Sequence, residues 1–425
     1  MPFRLGPIAP VLLGLVSAQV ALGIMTPLIP ILLLRVGAST PAIGLVASAY
    51  YAGFLAGALT CDRIVTRVGH IRAFAVFAAV AADAALMLVF CAVAWQVAVL
   101  RLLIGFASSG VFLVVESWLN DRSDASTRGR TFGAYLVASW GASALGPLVL
   151  NVVAATPTMF VLVGASFATA VLPMALTKQA NPEVRRQAHF ALGRLYRVSP
   201  AGIACCLASG LINGAYYSLV PVYLQRQNYG SGSVAAYISA AMIAGLAVQY
   251  PVGMLSDRFG RRAVMLVAVG GGFALSIALA FFGGISLLVV NLLGFLFAGL
   301  TAPLYGLGAG QTNDRMERGD YVAASGGLLF TWSLGSAVGP AFAGAVMGRV
   351  GPSGLFAYVA SVLALLGLFT VARMVLRSEV PRDQRRGYVP AAAAPPRHSE
   401  LVSRIVGALR HTHPARDSQP QTFSD

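Results

Sequence analysis

The chain has 425 residues, a mass of 44.1 kDa and a mean hydropathy of +0.75. Apolar residues make up 57% and charged residues 11%, too few charges to cover a soluble surface, so the composition excludes a soluble globular protein and indicates an integral membrane protein. The net charge is +15. The cations are spread between apolar runs and do not form one basic face with stacking aromatics, which argues against a nucleic-acid partner.

Twelve apolar segments are long enough to cross the hydrocarbon core of a bilayer, which requires about 20 residues of helix. We predict a membrane-spanning helix for each. The predicted spans are 8–34, 42–61, 73–95, 97–118, 131–154, 157–177, 201–224, 234–255, 264–283, 285–310, 322–347 and 353–376. The first is too long for the apolar part of a signal peptide and is expected to be retained.

The basic residues predict the orientation of these spans. With the N-terminus inside, 26 of the 30 cations lie on cytoplasmic segments, whereas Arg35, Arg226 and Arg349 lie on the other side and Arg101 lies within a span. Cytoplasmic loops of membrane proteins are enriched in Lys and Arg. We therefore expect a protein of the bacterial inner membrane that is embedded in the lipid bilayer and has both termini in the cytoplasm.

The sequence is an internal duplication with an offset of 191 to 193 residues. The aligned pairs include Arg67 with Arg258, Gly69 with Gly260, Asn120-Asp121-Arg122 with Asn313-Asp314-Arg315, and Gly146-Pro147 with Gly339-Pro340. A parallel repeat of six spans is typical of transporters. We predict an all-α membrane protein with two pseudo-symmetric six-helix bundles.

The duplication also predicts the domain boundaries. The two bundles cover residues 1–177 and 201–376, and a polar cytoplasmic linker, 178–200, joins them. The cytoplasmic tail, 377–425, is polar and is expected to be mostly disordered. Apolar residues recur at helical spacing within 399–411, as in a helix on the inner leaflet, although a frayed helix without a role fits equally well.

The fourth span carries a polar face. The residues within a sector of about 100° are Arg101, Gly105, Ser108, Ser109, Phe112 and Glu116. An ionisable side chain within a span costs at least about 2.5 kcal/mol, so this face must point to other helices or to a wet cavity. Arg101 and Glu116 are about 22 Å apart along a helix, so each needs its own partner.

Two acidic residues lie within the predicted spans. Glu116 is our first candidate for a coupling carboxylate, and the alternative is a structural anchor near the cytoplasmic helix end. Asp83, in the third span, is a weaker transport candidate that can equally serve helix packing. The four cysteines have no ligand spacing, and the chain has no nucleotide-binding motif, so we expect neither a metal nor a cofactor.

The first and seventh spans are equivalent under the duplication and carry further candidates for a substrate cavity. Gln19 and Thr26 share a face of the first span, and Asn213, Tyr216 and Tyr217 cluster on the seventh. Amides and aromatic rings suit a neutral or amphipathic solute better than a multiply charged one. The alternative for the tyrosines is a role in helix contacts.

A glycine- and arginine-rich loop joins the eighth and ninth spans. Its key residues are Gly253, Asp257, Arg258, Gly260, Arg261 and Arg262. We predict a gating loop, in which Gly260 permits a tight turn and Asp257 accepts from a neighbouring helix N-terminus in one of two bundle arrangements. In the first half the carboxylate position is Thr66, and whether Asp62 replaces it stays open.

These motifs resemble those of the major facilitator superfamily. The loop Gly253 to Arg262 is similar to the family's GxxxDRxGRR sequence, and Arg101, Gly105 and Ser109 resemble its fourth-span RxxxGxxxG pattern. Glu116-Ser-Trp-Leu-Asn120 resembles the YcaD-like branch. The resemblance covers residues 8–376 and implies twelve helices and solute transport by alternating access. Gly146-Pro147 resembles a motif of exporters, which favours export.

From these features we expect a proton-coupled secondary transporter that moves a small organic solute, is not an enzyme and works as a monomer. The first alternative is a transport-inactive membrane sensor with the same fold. The second is an intramembrane enzyme, which would need clustered histidine, cysteine or carboxylate groups that the spans lack.

Overall fold

The computed structural model describes residues 6, 8–123, 127–177, 192–316 and 321–376, and the regular secondary structure of this part is entirely helical. The first half forms α1 (Ala9–Arg35), α2 (Thr40–Val68), α3 (His70–Met87), α4 (Ala94–Asp121), α5 (Arg128–Leu148) and α6 (Met159–Ala175). The second forms α7 (Leu192–Val198), α8 (Pro200–Arg226), α9 (Ser231–Phe259), α10 (Arg261–Phe282), α11 (Leu287–Thr301), α12 (Leu304–Asn313), α13 (Tyr321–Val350) and α14 (Gly354–Leu376).

The helices match the predicted spans with shifts of up to eight residues at their ends, the largest at the C-terminal ends of α2, α3 and α5. Within the described residues, eleven apolar segments reach the length of a membrane span, and α6 is a shorter apolar helix of 17 residues. Part of the linker, 178–191, and the tail, 377–425, with its segment 399–411, lie outside the described residues. The predicted linker also contains a short helix, α7, immediately before α8.

The tenth span differs from its prediction, because the expected continuous helix over 285–310 is broken. Helix α11 ends at Thr301, and α12 begins at Leu304 after the N-cap residue Pro303. Proline has no backbone N–H to donate and its ring disfavours a preceding helical turn, so the chain interrupts the helix there. The break brings Ala302 and Tyr305 to the wall of a central cavity.

Small residues set the packing within each half in the same way. In the first half α5 packs on α1, and a Cβ built on Gly23 would lie 2.5 Å from the carbonyl oxygen of Ser143. In the second half α13 packs on α8, and a Cβ on Gly214 would lie 2.6 Å from the carbonyl oxygen of Ser336. Such residues let helix backbones approach closely in a bilayer.

The two halves are held together on one face of the bundle. We call the face where α2 and α9 end the arginine-rich face, because it carries Arg67 and Arg258. On the opposite face, the backbone N–H of Ala341 in α13 donates to Ser48 Oγ in α2 at 3.1 Å, and Ser239 Oγ in α9 donates to the carbonyl of Ala144 at 2.6 Å. These contacts close the opposite face.

Arginine 35 adds a further link between the halves on the closed face. Its guanidinium donates to the carbonyl of Ala155, in the segment before α6, and to Ser231 Oγ, at 3.3 Å, at the start of α9. One side chain therefore ties the end of α1 to its own half and to the second half.

Candidate functional site: a central cavity between the halves

A central cavity of about 470 Å³ lies between the two halves. Helices α1, α2, α4 and α5 form one side, and α8, α9, α12 and α13 form the other. Its polar and aromatic lining residues are Gln19, Thr26, Tyr50, Tyr51, Phe54, Arg101, Ser109, Phe112, Glu116, Tyr135, Ser139, Trp140, Ser143, Asn213, Tyr217, Ser218, Gln249, Tyr305 and Trp332. This volume is within the range of small-molecule sites.

The cavity opens towards the arginine-rich face. Near that face it is lined by Ala58 and by Leu329, which is 37% exposed. Near the closed face it is lined by Ile43 and Val46, which are 1% and 2% exposed. The gradient of exposure along the cavity fits a carrier open on one side only.

Most of the residues singled out from the sequence line this cavity. They are Gln19, Thr26, Arg101, Ser109, Phe112, Glu116, Asn213 and Tyr217. Three others do not. Ser108 is buried and donates to the carbonyl of Ile104 at 2.7 Å, Tyr216 is buried among aromatic rings and donates to Tyr237 Oη at 3.0 Å, and Asp83 is exposed on α3.

Glu116 is held by α5. Its Oε1 accepts a hydrogen bond from the Tyr135 hydroxyl at 3.0 Å, and the Tyr135 side chain is itself buried. Among the described lining residues, Glu116 is the only acidic one. A single carboxylate facing a cavity is a group that can take up and release one proton, with a neutral hydroxyl to hold its orientation.

Arg101 has a different neighbour, on α2. Its guanidinium carbon lies 4.4 Å from the ring centroid of Tyr50, a cation–π contact. Its Nε is inaccessible and has no hydrogen-bond partner within the described part of the chain. Arg101 also lines the cavity, and its role as a transport residue stays a prediction.

Close packing of α2 on α4 makes this contact possible. A Cβ on Gly57 would lie 2.7 Å from Cβ of Ser109, and a Cβ on Gly105 would collide with the carbonyl oxygen of Tyr50. Gly105 therefore brings the backbone of α2 directly against α4. The glycine of the fourth-span pattern has a packing role that presents Tyr50 to Arg101.

An aromatic wall crosses the cavity, and the sequence analysis did not single it out. Tyr50 and Tyr51 stack edge to face at 5.1 Å, Tyr51 lies 6.4 Å from Trp332 on α13, and Trp332 lies 6.3 Å from Tyr305 on α12. On α5, Tyr135, Ser139 and Ser143 line the cavity at four-residue intervals. That spacing on the fifth span was a signal that could have identified them.

The gating-loop residues form an ion-pair cluster at the arginine-rich face. Arg261 donates from Nε and Nη2 to the two carboxylate oxygens of Asp314, with the second contact at 3.3 Å, and Asp257 lies 3.4 Å from the same guanidinium. The Arg261 and Asp314 side chains are 3% and 6% exposed. The cluster joins the end of α9, the start of α10 and the end of α12.

The other loop residues surround this cluster. Gly260 has φ of +101°, a backbone conformation that residues with a side chain rarely adopt. Gly253 and Arg262 are buried, and the Arg258 guanidinium lies 5.4 Å from the ring of Phe259. The segment 317–320, which precedes α13, lies outside the described residues, and the latch role of Asp257 stays a prediction.

The first-half counterpart of the cluster has different chemistry. Thr66 Oγ1 donates to the carbonyl of Arg63, and Asp62 accepts from the backbone N–H of the same residue at 2.8 Å. His70 occupies the position of Arg261, and its Nε2 lies 2.8 Å from Ser117 Oγ. The first half therefore keeps the turn, at Gly69. In place of the buried ion pair between Arg261 and Asp314 it has a contact between a histidine and a serine side chain.

The family model of the Major Facilitator Superfamily matches residues 11–319, which is most of the chain. The chain belongs to this superfamily. The expected fold is confirmed, and the protein is a membrane transporter and not an enzyme.

Curated relatives and solved structures agree with this assignment. The chain is 28% identical over 366 residues, 84% of this chain and 93% of the relative, to the uncharacterized MFS-type transporter YcaD of Escherichia coli O6:K15:H31, and 27% identical to YcaD of Salmonella enteritidis PT4. The resemblance to YcaD is confirmed. The fold is similar to that of a mutant of the nucleoside transporter NupG (TM-score 0.74, 14% identity, 86% of this chain and 99% of that one).

A second solved structure is similar to the whole described bundle. It is a bacterial homolog of the human lysosomal transporter Spinster in an inward-facing and occupied conformation (TM-score 0.72, 14% identity, 92% of this chain and 100% of that one). At this identity the comparison establishes the fold alone.

The ion-pair cluster around Arg261 allows a paired test of its two carboxylates, Asp314 and Asp257. We expect Asp314→Asn to destabilise the protein by about 3–5 kcal/mol, because it leaves the buried guanidinium of Arg261 without its main counter-charge. Asp257→Asn should change stability by at most about 1 kcal/mol, because its carboxylate is partly exposed, but should slow turnover. Thermal unfolding in detergent and the transport rate per folded molecule measure both effects. Equal stability losses in the two variants would contradict this assignment.

Proposed function

We propose that this protein is a proton-coupled secondary transporter that moves a small organic solute across the bacterial inner membrane by alternating access. The observation that carries the proposal is the cavity between the halves, with Glu116 as its only acidic side chain in the described lining. We assign residues 1–177 and 201–376 as the two moving bundles and the protein as a monomer.

The coupling role of Glu116 rests on its position and contacts. The carboxylate faces the cavity near its open end, so a proton can reach it from the arginine-rich face. Tyr135 holds one carboxylate oxygen by a hydrogen bond that a protonated carboxyl can also accept. The charge of the site therefore changes with protonation while its geometry is retained, which is the requirement for a coupling group.

The lining favours a neutral or amphipathic solute. One arginine and one carboxylate balance each other, and the remaining polar contacts come from amides, hydroxyls and aromatic rings. The amide nitrogen of Gln19 already has partners within the protein, because Nε2 donates to Ser139 Oγ and to the Ser139 carbonyl. Gln249 and Trp332, on the second half, are the complementary groups with which a bound solute would bridge the two bundles.

The basic loops support an orientation with both termini in the cytoplasm, so the cavity of this structure would open inwards. We propose export as the direction. Its support is the Gly146-Pro147 pair in α5, which lies against α1 and has a counterpart at Gly339-Pro340 in α13.

A ligand screen followed by a transport assay tests the proposal. The purified protein is heated with individual metabolites and drugs, because a compound that binds the native state raises its apparent stability. A compound found in this way is then supplied outside proteoliposomes across which a pH gradient is imposed, and its uptake is measured. Accumulation that follows the gradient and collapses with a protonophore supports the proposal. Binding without any gradient-driven movement contradicts it and favours the sensor alternative.

A further inference from the structure

Arg101 brings a positive charge to the central cavity that no neighbouring acid neutralises. It is the only basic side chain among the described residues of the cavity lining. Its guanidinium lies over the ring of Tyr50, and within the described part of the chain it makes neither a hydrogen bond nor an ion pair. An arginine within a membrane span is costly and usually has a functional partner, so its missing counter-charge requires an explanation.

Glu116 cannot supply that counter-charge. It is the only acidic side chain in the described lining, and it lies fifteen residues from Arg101 on the same helix, a separation of about 22 Å. Its Oε1 accepts from the Tyr135 hydroxyl. The two charges of the cavity balance in number but are too far apart to pair, so each end of the cavity has its own electrostatic requirement.

Water meets the requirement of Arg101 only while the cavity is open. Water molecules can accept its hydrogen bonds, but they carry no net charge. Alternating access passes through a state in which both ends of the cavity are closed and bulk solvent is excluded. A charge withdrawn from bulk water without a counter-charge is strongly destabilised. In that closed state the counter-charge of Arg101 must enter with the solute.

The charge count limits the solute to one negative group. A single guanidinium neutralises a monoanion, whereas a dianion would carry one uncompensated negative charge into the closed cavity. The planar guanidinium fork also matches the geometry of a carboxylate, to which it can donate two parallel hydrogen bonds. The cavity therefore favours a monocarboxylate over a dicarboxylate or a doubly charged phosphate.

The aromatic wall beside Arg101 determines what accompanies the carboxylate. Nine aromatic side chains are among the described lining residues. Tyr50 and Tyr51 lie edge to face with 5.1 Å between their ring centroids, and the Tyr51 centroid lies 6.4 Å from that of Trp332 in the second half. Aromatic rings pack well against other flat apolar groups. A flat body placed next to Arg101 would therefore contact both halves at once.

We propose that Arg101 binds the carboxylate of a singly charged aromatic acid whose apolar body packs against Tyr50, Tyr51 and Trp332. This inference rests on the proposed function, because the closed state belongs to alternating access, and it narrows the solute to an amphipathic monoanion.

Binding of matched acids and amides to the full-length protein in neutral detergent tests this site. The probes are benzoate, 2-naphthoate and indole-3-acetate, each paired with its carboxamide, which has nearly the same shape and no charge. Isothermal titration calorimetry measures the dissociation constants. For at least one pair we expect the acid to bind about tenfold or more tightly than the amide, because a charge-assisted contact is added. Phthalate, a dianion, should bind more weakly than benzoate.

Variants of Arg101 connect this preference to the guanidinium. Arg101→Gln should weaken binding of the acid by about tenfold or more and change binding of the amide by less than about twofold. Arg101→Lys keeps the positive charge and should retain a preference for the acid. The control is Arg67→Gln, which removes an exposed arginine outside the cavity and should change binding of the acid by less than about twofold.

The comparison in the unmodified protein requires no variant, so the site can be tested even if Arg101→Gln does not fold. Equal affinities for acid and amide in all three pairs overturn the proposal, as does the absence of saturable binding of all six probes. A preference for the acid that persists in Arg101→Gln also overturns it.

Proton-gradient uptake separates this site from the proposed function. An Arg101-dependent preference for the acid without gradient-driven uptake supports the carboxylate site and contradicts proton coupling. Gradient-driven uptake of a solute at equal rates by Arg101→Gln and the unmodified protein supports proton coupling and overturns the carboxylate site.

Discussion

Glu116→Gln is expected to abolish proton-driven transport, with a loss of at least about a hundredfold in rate. Glutamine has nearly the same shape as glutamate and can still accept the hydrogen bond from Tyr135, so the fold should be retained. It cannot take up or release a proton. Exchange of labelled for unlabelled solute in proteoliposomes, which needs no net proton movement, should continue.

Asp83→Asn is the matched control for this variant. It also removes one carboxylate from a membrane-spanning helix, but Asp83 is exposed and does not line the cavity. Its transport rate should be unchanged. If Glu116→Gln kept gradient-driven uptake at the rate of the unmodified protein, Glu116 would be a structural anchor and the coupling group would lie elsewhere.

Gly105→Ala is expected to destabilise the protein by about 1–3 kcal/mol, although it adds a single methyl group to a helix. That methyl would collide with the carbonyl oxygen of Tyr50, which belongs to the backbone of α2 and cannot rotate away. Helices α2 and α4 would have to separate, and Arg101 would move relative to the Tyr50 ring. We therefore expect a lower unfolding temperature in detergent and slower transport.

Gly270→Ala is the control variant, and its expected effect on stability has the opposite sign. Gly270 lies within α10 and a Cβ there would contact nothing within 4 Å. Replacing a helical glycine by alanine without a clash stabilises a protein by about 0.4–1 kcal/mol. If Gly105→Ala were as stable as Gly270→Ala, the result would contradict the close approach of the α2 and α4 backbones at Gly105.

The fold followed from the sequence because bilayer physics leaves few alternatives. Apolar length determines the spans, and the repeat at 191 to 193 residues predicts two similar bundles. The break at Pro303 was the main exception. Proline is common in membrane helices, so its presence alone does not distinguish a kink from a full interruption.

The candidate site was predicted less completely, for a reason that concerns helix rotation. The polar face of α4 predicted the direction of Arg101 and Glu116, because an ionisable side chain that faces lipid is costly. Tyrosine and tryptophan can face lipid, protein or a cavity, so neither the exclusion of Tyr216 nor the inclusion of Trp332 could be deduced from residue type. Which tyrosines line the cavity depends on contacts between helices far apart in the sequence.

Thiol labelling from each side of the membrane examines alternating access itself. In a background without the four native cysteines, Leu329→Cys and Ile43→Cys report on the open and closed ends of the cavity. In inverted vesicles, a membrane-impermeant reagent should label Leu329→Cys and leave Ile43→Cys unmodified. In intact cells supplied with solute and a proton gradient, Ile43→Cys should become reactive. Simultaneous labelling of both positions from both sides would indicate a channel, and an Ile43→Cys that never reacts would contradict the transport cycle.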